Sequence, residues 1–169
     1  MYDDVAQLTW LRDANANGQM NWSTAMAWAD GLSIGGVDDW RLPGGTIMTN
    51  GYNQTASEMG NMFYNVLGGT PFFPFNNATN YAFFQNIQYG GYWSGVEFFP
   101  GEIAGHFDFS DGYQGRSGES SGLFAWAVRS GDVGGNPVPA PGTLALLGAG
   151  LLGWAGVKRS RHRVGAVIG

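Results

Sequence analysis

The stretch 137–163 near the C-terminus constrains this chain most, because its three parts come in a fixed order. A proline-rich hinge at 137–141 comes first, and proline is excluded from helix interiors. The uncharged segment 142–157 follows, mixing Leu with Gly and Ala as closely packed membrane helices do. A basic stop at 158–163 comes last, as at the cytoplasmic end of a membrane segment. This order predicts a transmembrane helix over 142–157; a buried core helix is the alternative.

The tail resembles the PEP-CTERM sorting signal of Gram-negative bacteria. The sorting motif of that family is Val-Pro-Glu-Pro, and the corresponding residues here are Val138, Pro139, Ala140 and Pro141. Ala140 therefore replaces the glutamate, while the following Gly-Thr-Leu-Ala-Leu-Leu-Gly run and the arginines match. The resemblance implies processing by exosortase, transient anchoring in the inner membrane, and a final location at the cell surface or outside the cell. It divides the chain into a cargo domain, 1–136, and a sorting tail, 137–169.

The composition of the cargo domain excludes several classes of protein. It contains all 13 acidic residues but only 4 of the 8 basic ones, and this formal charge of −9 excludes a nucleic-acid binder. The absence of cysteine excludes disulfides, thiol nucleophiles and thiolate metal sites. The 29 glycines predict many turns and loops. Because the first residues do not read as a signal peptide, we expect a leader to precede the given sequence.

Local patterns predict two helices in the cargo domain. For the first, Asn21 is the expected N-cap, apolar residues recur every three or four positions, and Gly31 ends the helix. For the second, Thr55 and Glu58 form the expected capping box. The apolar stripe of this second helix consists of Met59, Met62, Phe63, Val66 and Leu67.

Alternating side chains predict a small set of strands. These are expected at 7–12, 92–96, 106–110 and 123–129. The polar segment 111–122 is predicted to be a loop that joins the last two strands. The aromatic stretch 71–87 is expected to form a long ordered loop with short strands.

Six spaced segments carry a second resemblance. They are 8–13, the helix that begins at Trp22, 39–43, 92–95, 107–112 and 125–129. In this order they resemble the Lcl C-terminal domain family over about residues 3–132, although an insertion of about eleven residues follows the Arg-Leu-Pro turn. The resemblance implies an α+β fold of the C-type-lectin-like kind, with two helices packed on a small, mainly antiparallel sheet with long loops.

The residues that could support chemistry favour structural roles. Arg41 is predicted to bind loop carbonyls or a carboxylate, with Trp40 packed behind it, and His106 is predicted to face solvent. The spacing shows no nucleophile elbow, P-loop or histidine cluster, so we expect neither catalysis nor a cofactor nor a metal. The segment 13–18 has the start of a calcium-loop spacing, but Thr24 replaces the glutamate at the twelfth position, which favours an ordinary turn.

Together these patterns predict a non-catalytic binding module that recognises extracellular polysaccharide or another surface glycan, for example in a biofilm matrix. The alternative is a structural matrix protein without a small ligand, and an enzyme is the third choice. The predicted ligand-binding residues are Trp93, Glu97, Asp108, Asp111, Tyr113, Gln114, Arg116 and Glu119. Tyr113 offers a ring for a sugar face, and the polar residues offer directed hydrogen bonds. A flexible connection at 111–122 is the alternative there, and the aromatic stretch around Phe75 and Tyr81 is the second candidate location.

The sorting tail generates the first testable prediction. If exosortase removes the tail near Pro139, protein collected from the cell exterior should end before Gly142. Mass spectrometry of the C-terminal peptide measures this directly. Recovery of external protein that still carries Arg163 would show that the tail is not processed.

Overall fold

The computed structural model describes residues 1–45, 49–75 and 77–133. Contacts along the chain separate Met1–Val133 from Gly134–Gly169, and the described residues all belong to the first unit. The predicted hinge, membrane segment and basic stop lie outside the described residues. Within the described part, none of the helices has both the length and the apolar character that a bilayer crossing needs.

The described chain combines short helices with short strands. The strands are β1 (Tyr2–Asp3), β2 (Leu8–Trp10), β3 (Gln19–Met20), β4 (Gly91–Phe99), β5 (Ile103–Asp108), β6 (Gln114–Gly118), β7 (Leu123–Phe124) and β8 (Val128–Ser130). The helices are α1 (Trp22–Asp30), α2 (Glu58–Gly60), which continues as a π-helical segment (Asn61–Val66), and α3 (Ala78–Tyr81). The predicted α+β class is confirmed, whereas its C-type-lectin-like form stays a prediction.

The strands form two sheets. One has three strands in the order β1-β2-β8, all antiparallel. The other has five strands in the order β3-β7-β4-β5-β6, antiparallel except where β4 runs parallel to β7. The long hairpin of β4 and β5 forms the centre of this second sheet.

The first predicted helix is confirmed at both ends. The Asn21 side chain accepts a hydrogen bond from the Thr24 N–H at 2.9 Å, and the Gly31 N–H donates to the Ala27 carbonyl at 3.0 Å. Ala25 and Ala29 are fully buried on its inner face. Small side chains at these positions let α1 lie close to β4 and its neighbours.

The second helix is confirmed, but its predicted capping box is wrong. Ser57, rather than Thr55, is the N-cap, and its hydroxyl accepts a hydrogen bond from the Gly60 N–H at 3.0 Å. The Glu58 carboxylate does not turn back to the helix start, because it binds Arg41 instead. The predicted apolar stripe is confirmed: Met59, Met62, Phe63 and Leu67 are buried, and Val66 is half-buried.

Two predictions for the C-terminal half of the cargo are corrected. The expected strand over 123–129 is in fact two strands, since β7 belongs to the five-stranded sheet and β8 to the three-stranded one. The expected loop over 111–122 contains β6, which pairs with β5 from Gln114↔Phe107 to Ile103↔Gly118. Gly and Ser have low strand propensity, so the pattern of side chains does not reveal a strand that is held by its backbone ladder.

The centre of the five-stranded sheet is buried on both faces. On one face Tyr92 and Phe107 join the core that packs against α2 and the π-helical segment. On the other face Trp93 and Ala104 join a smaller core that packs against α1. Neighbouring residues along a strand point to opposite faces, so Tyr92 and Trp93 lie in different cores. A sheet held from both sides is a rigid base for the loops at its ends.

Gly60 provides a stability test of this core. A Cβ at this position would overlap the Gln54 carbonyl and crowd the Ser57 hydroxyl, and a backbone group cannot move aside cheaply. We expect Gly60→Ala to lower the free energy of unfolding of the full chain by about 1–3 kcal/mol, as overpacking does. Thermal and urea unfolding measure the change.

Gly122→Ala is the matched control, because the nearest atom to its added Cβ is the Gln19 side chain at 3.9 Å. We expect it to change the free energy of unfolding by less than about 0.5 kcal/mol. Equal stability of both variants would mean that the turn from Gln54 to Gly60 is not packed as described.

Candidate functional site

The predicted ligand-binding residues do not form one surface. Asp111 and Tyr113 lie in the turn before β6, whereas Glu119 lies just after it. Six positions separate Tyr113 from Glu119, roughly 20 Å along an extended strand at about 3.4 Å per residue. The segment predicted to be one binding loop therefore contains a strand, and its polar residues lie at the two opposite ends of that strand.

Three of the predicted residues have structural roles. Trp93 is fully buried and its indole N–H donates to the Met20 carbonyl at 2.8 Å, which corrects the expectation that its ring faces a ligand. Gln114 is also buried, and its amide donates to the Thr49 carbonyl at 2.7 Å. The Asp108 carboxylate accepts hydrogen bonds from the Ser110 N–H and hydroxyl at 2.8 and 2.6 Å, which stabilises the turn after β5.

Two acidic residues, Glu97 and Glu119, lie near the far end of β6, and an arginine, Arg116, lies in the middle of this strand. Burial, and then the nearby Glu97 carboxylate, raise the pKa of Glu119 above its usual value. Glu97 also accepts a hydrogen bond from the Gly101 N–H at 3.0 Å, and the Arg116 guanidinium lies 3.7 Å from the centre of the Phe98 ring. Among the described residues, no three acidic or histidine side chains lie close enough together to hold a metal ion.

Three aromatic rings gather around Asp111 at the other end of the sheet. The Tyr52 ring centre lies 4.7 Å from that of Phe72 and 5.2 Å from that of Tyr113. The Asp111 carboxylate accepts hydrogen bonds from the Tyr113 N–H at 2.8 Å and from the Tyr52 hydroxyl at 3.2 Å. We call these four residues the aromatic patch. It contains Asp111 and Tyr113, two of the residues predicted from sequence.

Phe72 occupies the most unusual position in the aromatic patch. Thr70 and Phe73 exchange two backbone hydrogen bonds of 2.9 Å, which close a tight turn with Pro71 and Phe72 at its tip. The φ angle of Phe72 is 69°, in the left-handed region that favours glycine, and 64% of the residue is exposed. A bulky residue in this conformation costs about 1–3 kcal/mol. The turn thus presents a large apolar ring to solvent at the expense of stability.

A network behind the patch fixes its loops. The Asn53 N–H donates to the Tyr64 hydroxyl at 2.9 Å, and that hydroxyl donates to the Gly112 carbonyl at 2.7 Å. Gly112 has a φ of 83°, and a Cβ there would lie 2.5 Å from the Tyr64 oxygen, so the turn requires glycine. Burial raises the pKa of the Tyr64 phenol, and the Asp111 carboxylate adds to this effect. The same two causes raise the pKa of the Tyr52 phenol.

Residues 1–129 match the Lcl C-terminal domain, which is most of the chain. The chain belongs to the Lcl C-terminal domain family. Residues 137–160 match the PEP-CTERM protein-sorting motif, so both resemblances seen in the sequence are confirmed. No curated protein matches the chain in sequence.

The sorting motif defines where the Lcl C-terminal domain goes. A PEP-CTERM signal directs a protein toward the cell surface or the extracellular space, and it implies exosortase as the processing partner. The aromatic patch is therefore carried by a protein destined for the cell exterior.

Arg41 has the structural role predicted for it. Its guanidinium binds both oxygens of Glu58 at 2.7 Å and donates to the Leu42 carbonyl at 3.1 Å. A cleft of about 480 Å³ lies beside this ion pair, lined also by Met26 and Gly95. Within this cleft the Glu58 carboxylate also accepts a hydrogen bond from the Gly44 N–H at 2.6 Å, so Arg41 and Gly44 fix its position.

The loop 13–18 forms the predicted turn. The Asp13 carboxylate accepts hydrogen bonds from the Asn15 N–H at 2.9 Å and from the Asn86 amide at 3.0 and 3.1 Å. These bonds fix the turn to the chain before β4.

Sequence reasoning missed two members of the aromatic patch, Tyr52 and Phe72. Tyr52 lies in the insertion after the Arg-Leu-Pro turn, and Phe72 lies in the aromatic stretch 71–87, which is predicted to be a long ordered loop with short strands. No local pattern marks the turn at Phe72, because the left-handed position after a turn proline normally has Gly or Asn.

His106 differs from its predicted exposure and generates a pH prediction. It is half-buried, its Nδ1 lies 3.0 Å from the Ser117 hydroxyl, and burial lowers its pKa, although Asp108 and Asp111 act in the opposite direction. The folded protein therefore favours the neutral ring, and below the ordinary pKa of 6.5 the unfolded chain takes up a proton more readily. We expect stability to fall as the pH drops from 7 toward 5.

His106→Gln should reduce that fall, because the variant has no imidazole to protonate. Melting temperatures of both full chains across this pH range make the comparison, and His162 in the tail is common to both. Identical pH profiles would show that His106 is as accessible to protons in the folded as in the unfolded chain.

Proposed function

We propose that this Lcl C-terminal domain is a non-catalytic binding module that recognises extracellular polysaccharide or a surface glycan through its aromatic patch. The sorting signal supports this proposal, because it sends the domain to the place where such glycans occur. Membership of the Lcl C-terminal domain family is consistent with a binding role but does not specify a ligand.

The observation that carries the proposal is the exposed Phe72 ring in a left-handed backbone conformation. Strain of this kind persists where the surrounding structure enforces it, and it concentrates at binding and catalytic sites. Packing against Tyr52 accounts for only part of this ring, because most of the residue is exposed to solvent. A contact between this ring and a bound ligand would explain why an exposed phenylalanine occupies this position.

The chemistry of the patch suits a sugar. Apolar ring faces can cover the C–H face of a pyranose, while hydroxyl and carboxylate oxygens bind its hydroxyl groups. The Tyr52 and Tyr113 rings are half-buried, so they are already fixed before a ligand arrives. Rings that are fixed in advance lose little conformational entropy on binding.

The proposal is non-catalytic because the acidic residues are arranged unfavourably for glycoside chemistry. That chemistry needs two carboxyl groups across a cleft. Glu97 and Glu119 lie beside each other at the opposite end of β6 from the aromatic patch. In the cleft beside α1, Glu58 is bound by Arg41.

A glycan array with the full chain identifies the ligand, and Phe72→Gly then tests the site. We expect the affinity for array hits to fall at least tenfold, about 1.4 kcal/mol, because the exposed ring is lost. The melting temperature should stay the same or rise, because glycine accepts the left-handed conformation without strain. Titration calorimetry and thermal unfolding supply the two values.

Phe99→Ala is the matched control, since Phe99 is also an exposed phenylalanine, 56% accessible, at the end of β4. It should keep full affinity. Loss of affinity in Phe99→Ala alone, with Phe72→Gly unchanged, would move the site away from the aromatic patch. An array without hits would favour the alternative of a structural matrix protein without a small ligand.

A further inference from the structure

The charge around the aromatic patch narrows the class of glycan. Before the tail, the chain has 13 acidic residues and four arginines, a formal charge of −9. A ligand that approaches this domain therefore meets a negative field, which attracts cations and repels anions.

The arginines of the described chain lie in other parts of the fold. Arg41 pairs with Glu58, and Arg116, in the middle of β6, covers the Phe98 ring. Arg129 lies in β8 of the three-stranded sheet, and Arg12 lies in the chain shortly after β2. In the described part of the chain, the ionised group that contacts the aromatic patch is the carboxylate of Asp111.

His106 does not reverse this balance. Its ring approaches Tyr113, since a Cβ on Gly115 would lie 2.8 Å from the Tyr113 ring and 3.0 Å from the His106 ring. Burial lowers the pKa of His106, so at neutral pH it contributes no positive charge beside Tyr113.

The patch itself has the components that bind an ammonium group. Asp111 uses one lone pair on each oxygen for Tyr113 and Tyr52, and a carboxylate has about four such sites, so acceptor capacity remains. The faces of aromatic rings carry negative charge and attract cations. Phe72 and the two tyrosines supply such faces beside the Asp111 carboxylate.

We propose that the aromatic patch selects a cationic amino-sugar glycan, whose free ammonium group lies beside Asp111 while its sugar ring covers Phe72. This inference rests on the proposed function and specifies its ligand class. A sulfated or uronate polysaccharide would place its anion against Asp111 without a compensating arginine, which disfavours that class.

The test compares two probes of equal length with the full chain: a β-1,4-glucosamine oligosaccharide and its fully N-acetylated counterpart. Acetylation removes the positive charge and keeps the sugar backbone. We expect the glucosamine probe to bind at least tenfold more tightly at low ionic strength, and its affinity to weaken as salt is added. The affinity of the neutral probe should respond little to salt.

Asp111→Asn is the variant that removes the charge and retains a carbonyl acceptor for the Tyr113 N–H. It should lower the affinity for the glucosamine probe at least fivefold more than it lowers the affinity for the N-acetylated probe, so that the preference between the two probes shrinks. Asp30→Asn, at the exposed end of α1, changes the net charge equally and should have no such effect. This control separates a local contact from the general negative field.

Two kinds of result would contradict the proposal. Equal affinity for both probes, or a preference for the neutral one or for polygalacturonate, would overturn the cationic selectivity and leave glycan binding in place. Binding of none of these probes, with an array that has no hits, would overturn the proposed function as well. If Asp111→Asn fails to fold, the probe preference and salt dependence of the unmodified chain decide the question alone.

Discussion

The ion pair of Arg41 and Glu58 joins parts of the structure that no continuous element connects. Two bonds of 2.7 Å link the guanidinium to the carboxylate at the start of α2, and Glu58 also accepts the Gly44 N–H at 2.6 Å. The backbone of Arg41 exchanges bonds of 2.8 and 2.9 Å with Val128 in β8, and the Pro43 carbonyl accepts a bond from β4. One short segment thus connects both sheets to the second helix. The planar fork of arginine makes this possible, and a lysine ammonium could not bind both oxygens with the same fixed geometry.

This anchoring explains how a chain rich in glycine can present a well-defined surface. The loops that carry the aromatic patch are tied to the sheet by their backbones: Gly51 exchanges two bonds with Gln114, and the Phe72 N–H donates to the Asp111 carbonyl at 2.8 Å. The sheet is in turn packed on both faces. The buried residues of the two cores stabilise the scaffold, so the exposed loop residues are not needed for folding and can contact a ligand.

Features that depend on neighbouring residues in the chain can be predicted from the sequence. Features in which a distant residue competes for the same hydrogen-bonding group cannot. The α1 caps and the apolar stripe of the second helix follow from local spacing, and both are confirmed. The capping box fails because Arg41, far away in sequence, offers Glu58 two charge-assisted bonds in place of one bond to a backbone N–H. The aromatic patch cannot be predicted from local patterns either. Tyr52, Phe72 and Tyr113 come together only through backbone hydrogen bonds between segments that are distant in sequence. Asp111 is predicted from its hydrogen-bonding capacity and Tyr113 from its ring, whereas Tyr52 and Phe72 are not predicted.

The identity of residue 72 links the energetics of the fold to recognition. The chain has 29 glycines and uses one at many positions of positive φ, yet it has phenylalanine at the tip of this turn. Glycine there would remove strain of about 1–3 kcal/mol and lose mainly the contact with the Tyr52 ring, because the residue is 64% exposed. The contact with the Tyr52 ring accounts for only part of the Phe72 side chain. We infer that the exposed part serves a contact outside the chain, of the kind proposed above from the rings and carboxylate beside it.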